Sequence, residues 1–429
     1  MSARGFVIAA PASGAGKTTL TLGLLRALRR SGVDVRAAKS GPDYIDPAFH
    51  QAACGSPSVN LDPWAMTPDE LRLRADAQGG ALLVVEGAMG VLDGARDGHG
   101  SVADLACALG LPVVLVLDIA RAGRSAVLPA AGLRALRPDL PLAGVILNRA
   151  GSNAHARMAG EALEQAGIAV LGQIGRDASL HLAERHLGLV QSIETPELDS
   201  FLETSADRVQ AGLDIDRLVE TARPLRGSAA TLRRLPPPGQ RIALARDAAF
   251  AFAYPHLLGD WRAQGAEIRT FSPLADEPPP ADADAICLPG GYPELHAGRL
   301  ATAEAFRTGM RAAASRGIAI QGECGGYMML GEGLTDADGC RHRMLGLLPL
   351  ETSFQKRSLS LGYRRLDPLP GAPWLGPLAA HEFHYATIVA EGAAARLFRA
   401  SDATGAALPD MGLRIGRTCG SFAHLIAPR

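Results

Sequence analysis

Residues 4–20 read RGFVIAAPASGAGKTTL, and their order decides the fold of the first half of the chain. Arg4–Ala10 is a short apolar run with β-branched residues, the pattern of a buried strand. Pro11–Thr19 is rich in small residues. From Leu20 onward, apolar positions 20, 24, 25 and 28 share one helical face. Strand, glycine-rich loop and helix in that order make a phosphate-binding loop. Small residues let successive N–H groups turn inward toward phosphate oxygens, and the helix N-terminus adds a favourable dipole. Gly14, Gly16, Lys17, Thr18 and Thr19 are therefore expected to bind nucleotide. Lys17 would neutralise the terminal phosphates, and Thr18 would offer its hydroxyl to Mg²⁺. Pro11 stands where such loops usually carry their first glycine, so an ordinary strand–helix turn is the alternative.

A phosphate loop needs acidic partners for the metal. Ala81–Glu86 (ALLVVE) is an apolar run ending in a carboxylate and followed by Gly87. A buried strand would deliver Glu86 beside the phosphates, where it could hold Mg²⁺; a strand-end charge in water is the alternative. Asp93, in the run Gly90–Gly94, has the surroundings of a turn aspartate. Val33–Ala38 reads as the next strand and runs into KSGPDYIDPAFH, residues 39–50. Two carboxylates, a lysine and two prolines in this stretch predict an irregular, rigid loop at a strand's carboxyl end, where α/β proteins bind ligands. Lys39 is assigned to the nucleotide side, and Asp43 and Asp46 to the metal with Thr18 and Glu86. Asp46-Pro47 also reads as a helix cap followed by Pro at the first helical position.

The segments Lys39–His50, Pro11–Thr19 and Val85–Gly94 together resemble the corrin a,c-diamide synthases, and the resemblance covers essentially the whole chain. It implies a dethiobiotin-synthetase-like ATP domain fused to a glutamine amidotransferase domain. The substrates it implies are ATP, L-glutamine and a corrin-ring acid amidated at its a and c acetates. It places a base contact at Asn148, which also reads as a strand-end turn residue, and casts Asp46, Glu86 and Asp93 as carboxylates that orient substrate or metal. Hydrogenobyrinic acid is the expected acid. Abundant Ala, Arg and Gly hint at a GC-rich genome, where the cobalt-free route is common. Cobyrinic acid and nickel sirohydrochlorin are the alternatives.

At 429 residues the chain has room for two or three domains. Hydrophobic residues make up 47% and charged residues 20%, which favours large cores over disorder. A net charge of -1 without a basic run argues against a nucleic-acid protein. No membrane-length apolar stretch and no signal peptide are visible, and the six scattered cysteines form no CxxC pair. A cytoplasmic chain with reduced thiols and no structural zinc is expected. The oligomeric state is not written in the sequence, which is compatible with a homodimer. Apolar runs at 111–118 and 142–148 extend a parallel sheet. The expected division is an ATP-dependent amide synthetase domain at 1–225, an Arg- and Pro-rich linker at 226–240, and an amidotransferase domain at 241–429. The fold class is α/β throughout, with a triad-type amidotransferase as the second half.

In that second half, Gly317–Gln321 is an apolar strand, Gly322-Glu323-Cys324-Gly325-Gly326 follows, and Tyr327–Leu330 opens a helix. Strand, sharp turn and helix form a nucleophile elbow with Cys in the place of Ser. The glycines relieve crowding around a strained residue, and the helix N-terminus is expected to lower the thiol pKa. A buried structural cysteine is the alternative. Pro289–Glu294 (PGGYPE) follows the strand Ala285–Leu288, and the Gly290 and Gly291 backbone could form an oxyanion hole. It resembles the P-G-G-x-x-E segment of class I amidotransferases; a Pro-Gly turn is the alternative.

The base should be a histidine, and His381, His384 and His424 stand downstream. His424 is where the resemblance places the catalytic histidine. Amidotransferases of the commonest type carry Glu two residues later; Ile426 stands there, as the cobyrinate-type group also lacks that Glu, and no orienting partner for His424 is evident. A partner-binding ATPase switch and a corrinoid carrier are the rival readings, and Cys324 argues against the switch.

Overall fold

A computed structural model of the chain describes residues 3–185 and 188–429. The chain forms two compact units that meet in sequence between Leu232 and Arg233. In the first unit, the strands are β1 (Arg4–Ala9), β2 (Val35–Ser40), β3 (Val59–Leu61), β4 (Leu82–Glu86), β5 (Val113–Asp118), β6 (Leu142–Ala150) and β7 (Val170–Gly175). Among the described residues they lie in the order β3-β2-β4-β1-β5-β6-β7, and every neighbouring pair on that path is parallel. The short strand Arg223–Pro224 runs antiparallel to β1. Helices cover a parallel sheet on both faces, so its strands are apolar at consecutive positions rather than alternate ones. Phe6, Val7, Ile8, Leu83, Val84, Val85 and Val113–Val116 are all fully buried.

This topology builds a site at the carboxyl edge. The chain leaves β1 and β4 on neighbouring strands, and the register sets Ile8 beside Glu86 on one side and Lys39 beside Glu86 on the other. Helix α1 (Lys17–Arg30) starts directly after Gly16 and buries Leu20, Leu24, Leu25 and Leu28, the positions its apolar period marks. The stretch 39–50 is more regular than expected. β2 continues through Ser40, and α2 (Asp46–Cys54) begins at Asp46, leaving 41–45 as the connection. Pro47 sits in the first helical turn, where a missing N–H costs nothing. The N-cap position is Ile45, and Asp43, in the turn before it, accepts the N–H groups of Ile45 and Asp46 on Oδ1 at 2.8 and 2.9 Å.

The ends of the segment 226–240 are tied to the units they adjoin. Arg226 N–H donates to Leu109 O at 2.9 Å, and Leu235 O accepts from Gln264 Nε2 at 2.8 Å. In the second unit, Glu267–Phe271, Arg241–Ala245, Ala285–Leu288, Ala319–Glu323 and Thr418–Ser421 lie side by side in parallel. The sheet then continues antiparallel through Ala407–Ile415, Ala395–Asp402, Ser360–Pro368, Leu378–His384 and His424–Pro428. Its larger core packs Phe250, Phe306, Met328 and Leu330 on one face; Ile242, Ala285 and Cys287 line a smaller one. Among the described residues, no helix is long and apolar enough to cross a membrane.

Candidate active site

Two sites emerge, one in each unit. In the first, Gly14 and Gly16 have φ of 78° and 85°, the left-handed region that favours glycine. A Cβ on Gly16 would lie 2.3 Å from Asn148 Nδ2, so the phosphate loop closes tightly onto that amide. Lys17 Nζ donates to Met89 O at 2.6 Å. Burial lowers its pKa, and the nearby charge of Lys39 lowers it further. Glu86, Asp46 and Asp93 pull the other way, and a polyanion would add counter-charge to theirs.

Beside the loop lies a buried charge network. Lys39 Nζ donates to Asp46 Oδ2 at 2.5 Å and to Glu86 Oε1 at 2.9 Å. Thr18 Oγ1 donates to the same Glu86 oxygen at 2.6 Å, and His50 Nε2 lies 2.7 Å from Glu86 Oε2. Burial opposes ionisation of Glu86, but Lys39 and His50 outweigh it and hold the carboxyl well below the usual range. Burial likewise opposes the Lys39 ammonium, yet Asp46 and Glu86 keep its pKa above the ordinary value. Asp46 shares that cation with Glu86. Burial and the neighbouring Asp43 push it up to about 6, against the pull of Lys39.

Mg²⁺ keeps several waters and takes one or two protein oxygens together with substrate phosphates. The Thr18 hydroxyl and Glu86 carboxylate, in contact at the end of the phosphate loop, fit that ion. Asp43 and Asp46, expected with them, bond to the first N–H groups of α2 and to Lys39, and Glu86 is itself bonded to Lys39 and His50. Among the described residues, no three His, Cys, Asp or Glu side chains gather as a metal cluster.

Asp93 and Asn148 each make local contacts. Asp93 is an exposed turn aspartate whose Oδ2 accepts Gly90 N–H at 2.9 Å, a bond that shapes the loop after β4. Asn148 Nδ2 donates to Ala15 O at 2.8 Å, and its Oδ1 accepts Arg149 N–H. Its amide braces the phosphate loop. It also lines a small recess with Gly16, Thr19, Gly175 and Leu180.

The second site is an elbow. Cys324 has φ 46° and ψ −104° between the strand Ala319–Glu323 and the helix Gly325–Leu330. Such a backbone costs on the order of 1–3 kcal/mol and persists only where its surroundings hold it. A Cβ on Gly326 would lie 1.9 Å from Leu288 O, and one on Gly322 would lie 2.8 Å from Gly326 O. The glycines let turn, helix and neighbouring strand touch, and the helix starts at once at Gly325 rather than at Tyr327. The thiol departs from the expected direction. Burial pushes its pKa up and Glu294 adds to this, against the Gly325 N–H at the start of the helix, which pulls it down.

His424 is fully buried. Burial lowers its pKa to about 3, with His381 and His384 adding to the effect, so the resting imidazole is neutral. A Cβ on Gly290 would lie 2.3 Å from His424 Cε1 and 3.3 Å from Cys324 Cβ. Gly290 therefore fits against both residues. Gly291 N lies 3.0 Å from where a Gly325 Cβ would be, which sets that amide against the elbow. His384 is occupied otherwise: it stacks on Phe422 at 3.9 Å, and its Nε2 lies 2.8 Å from Glu382 Oε1.

Two residues carry more than their sequence context suggested. His50 is one helical turn beyond Asp46, and that i,i+4 spacing was the available signal. Glu323 sits next to the nucleophile. Its Oε2 lies 3.8 Å from His424 Nδ1, and its Oε1 accepts Leu425 N–H at 3.3 Å. Burial pushes its pKa up to about 8.

Residues 6–190 match the CobQ/CobB/MinD/ParA nucleotide binding domain, and residues 241–429 match the CobB/CobQ-like glutamine amidotransferase domain. The hydrogenobyrinate a,c-diamide synthase of Brucella anthropi is 58% identical over 428 residues, 99% of this chain and 98% of that protein. Its counterpart from a Sinorhizobium species is 57% identical over 98% of each chain. Among solved structures, PurLQS from Thermotoga maritima aligns with 43% of this chain and 86% of its own at 19% identity and a TM-score of 0.32, too low to carry an argument. With a nucleotide-binding domain, an amidotransferase domain and end-to-end identity of this order, the chain belongs to the hydrogenobyrinate a,c-diamide synthase family.

Proposed function

We propose that this chain uses ATP and L-glutamine to convert the a and c carboxylates of hydrogenobyrinic acid to amides. One observation carries the reading. A single chain holds a strained cysteine elbow beside His424 and a phosphate loop whose Thr18 meets Glu86. An ATPase switch or a corrinoid carrier has no use for the elbow.

In the amidotransferase unit, His424 takes the Cys324 proton as the sulfur attacks the glutamine amide carbon. The Gly290 and Gly291 backbone faces the oxyanion that forms. The C–N bond breaks, His424 returns the proton to the departing ammonia, and a thioester remains for water to hydrolyse to glutamate. In the other unit, a substrate carboxylate oxygen attacks the γ-phosphorus of ATP and ADP leaves, giving an acyl phosphate. Lys17 and the loop N–H groups stabilise the transferring phosphoryl. Mg²⁺, held by Thr18 and Glu86, would supply charge neutralisation at the phosphates. Ammonia attacks the acyl carbon and phosphate leaves. Lys39, Asp46 and His50 hold Glu86 in place, while Asp93 and Asn148 shape the loops around the nucleotide.

The six cysteines are all free, consistent with a reducing cytoplasmic compartment. A homodimer is the proposed assembly, checked by light scattering of the purified chain.

The test offers hydrogenobyrinic acid and cobyrinic acid in parallel and reads product mass. Two successive acid-to-amide shifts on the cobalt-free acid, each requiring both ATP and glutamine, are expected. A shift on the cobalt-bearing acid alone would move the assignment to that substrate, and no shift on either would remove it.

A further inference from the structure

The position two residues after His424, where related amidotransferases carry their orienting carboxylate, holds Ile426, which is fully buried. A histidine that takes a thiol proton still needs its tautomer set and its developing charge balanced. The geometry points to Glu323, the residue immediately before the nucleophile, as the positioning carboxylate for His424. This inference rests on the glutaminase reading above.

Four observations converge on it. First, strand alternation sends the side chain of Glu323 away from the elbow while leaving its backbone continuous with Cys324. The parallel register pairs Glu323 with Ser421, three residues before His424. Second, the carboxylate is tethered at one oxygen. Oε1 accepts the N–H of Leu425, the residue after the base, at 3.3 Å, and this leaves Oε2 3.8 Å from His424 Nδ1. That separation is longer than a hydrogen bond, as is common for catalytic contacts without substrate.

Third, the two imidazole nitrogens face opposite ways. Nδ1 looks toward Glu323, whereas Nε2 lies 3.0 Å from the Cβ position of Gly290, the side on which Cys324 Cβ is also found. This is the arrangement a base needs, with the orienting group on one nitrogen and the nucleophile on the other. Fourth, the neighbouring acid Glu382 is already committed. Its Oε2 accepts from Arg364 Nε at 2.7 Å and its Oε1 lies 2.8 Å from His384 Nε2.

Glu323 also has somewhere to ionise. About a quarter of its side chain, 27%, is accessible, and it lines a cavity of about 390 Å³ with Gln321, Arg414 and Arg417. His381 and His384 bear on His424, and Glu294 and Glu382 bear on Cys324. Glu323 itself faces the Cys287 thiol and shares the cavity with Tyr254, Cys419 and the two arginines. A neutral carboxyl can accept the Nδ1–H hydrogen bond, but only the ionised carboxylate also balances the charge of the imidazolium. Glutaminase kcat/KM of the free enzyme should then rise as Glu323 loses its proton, near the value of about 8 to which burial pushes it.

The test measures glutaminase kcat/KM against pH for the full-length wild type, Glu323→Gln, Glu323→Ala and Cys324→Ser. Amidation driven by added ammonium salt is read in parallel as the folding control. Glu323→Gln can still accept from Nδ1 but carries no charge. It should lower kcat/KM by ~10- to 100-fold and lose the alkaline rise, with Glu323→Ala lower still. A structural role alone would lower activity without removing that rise. If Glu323→Ala fails the ammonia control, the isosteric Gln variant decides. Glu323→Gln within twofold of wild type, or with the pH rise intact, overturns the inference while a dead Cys324→Ser keeps the glutaminase reading. A wild type without glutaminase activity overturns both.

Discussion

Around Glu86 both carboxylate oxygens are engaged, by Thr18 and Lys39 on one and His50 on the other, and the network holds its charges in the dry interior. Around Cys324 the reverse holds: burial drives the thiol pKa up and the His424 pKa down, leaving both neutral at rest. The difference follows from the chemistry each site is asked to perform. A site that receives a polyanion gains from charges fixed in advance, since they need no reorganisation when the phosphoryl moves. A site that must make its own nucleophile can begin neutral and form its ion pair against a bound substrate. Stability should therefore be concentrated at the first site and proton traffic at the second.

The largest expected effect comes from Glu86→Gln. It leaves Lys39 with Asp46 as its main counter-charge in a buried setting, and removing one partner of a buried ion pair costs roughly 3–5 kcal/mol. Denaturant titration should show that loss, and both glutamine- and ammonia-driven amidation should fall together. The pH dependence sharpens the point. Because the folded pKa of Glu86 lies below its unfolded value, its contribution is present above the ordinary carboxylate range and is lost as pH falls toward the folded value. Wild type should accordingly lose more stability on acidification than Glu86→Gln. Equal acid sensitivity would break the contrast between the two sites.

Gly290→Ala probes the other side of the comparison. Its new methyl would meet His424 Cε1 at 2.3 Å, so the imidazole must move. Glutaminase activity should drop by about 100-fold through misplacement of the base, while ammonia-driven amidation persists. Loss of both activities would mean that the turn supports folding more than catalysis. The smallest effect is expected from Asp43→Ala, which removes the acceptor for the N–H groups of Ile45 and Asp46 at the start of α2 and should cost about 1 kcal/mol with Glu86 still in place.

The same contrast explains what could be read from the amino-acid sequence. Local patterns were legible: the apolar runs that became β1, β4 and β5, the glycines of the phosphate loop, and the crowding that demands Gly322 and Gly326. Local periodicity also located the buried face of α1. Pairings across strands were not legible. The register that sets Lys39 against Glu86 joins residues 47 positions apart, and the approach of Glu323 to His424 joins residues of two separate strands. A helix N-terminus beside Cys324 is visible in sequence and burial is not; in the fold, burial raises the thiol pKa by more than the Gly325 N–H lowers it. The Asp-Pro pair marks where α2 begins, but which aspartate accepts its first N–H groups is settled by the turn, and Asp43 does so.

The central claim is that one chain carries two chemically separate sites joined by ammonia. It is tested most directly by Cys324→Ser, assayed for amide formation on hydrogenobyrinic acid with ATP and either glutamine or an ammonium salt. The account predicts that glutamine-driven product disappears while ammonia-driven product continues at a rate comparable to wild type. Product formed from glutamine by the serine variant would contradict it.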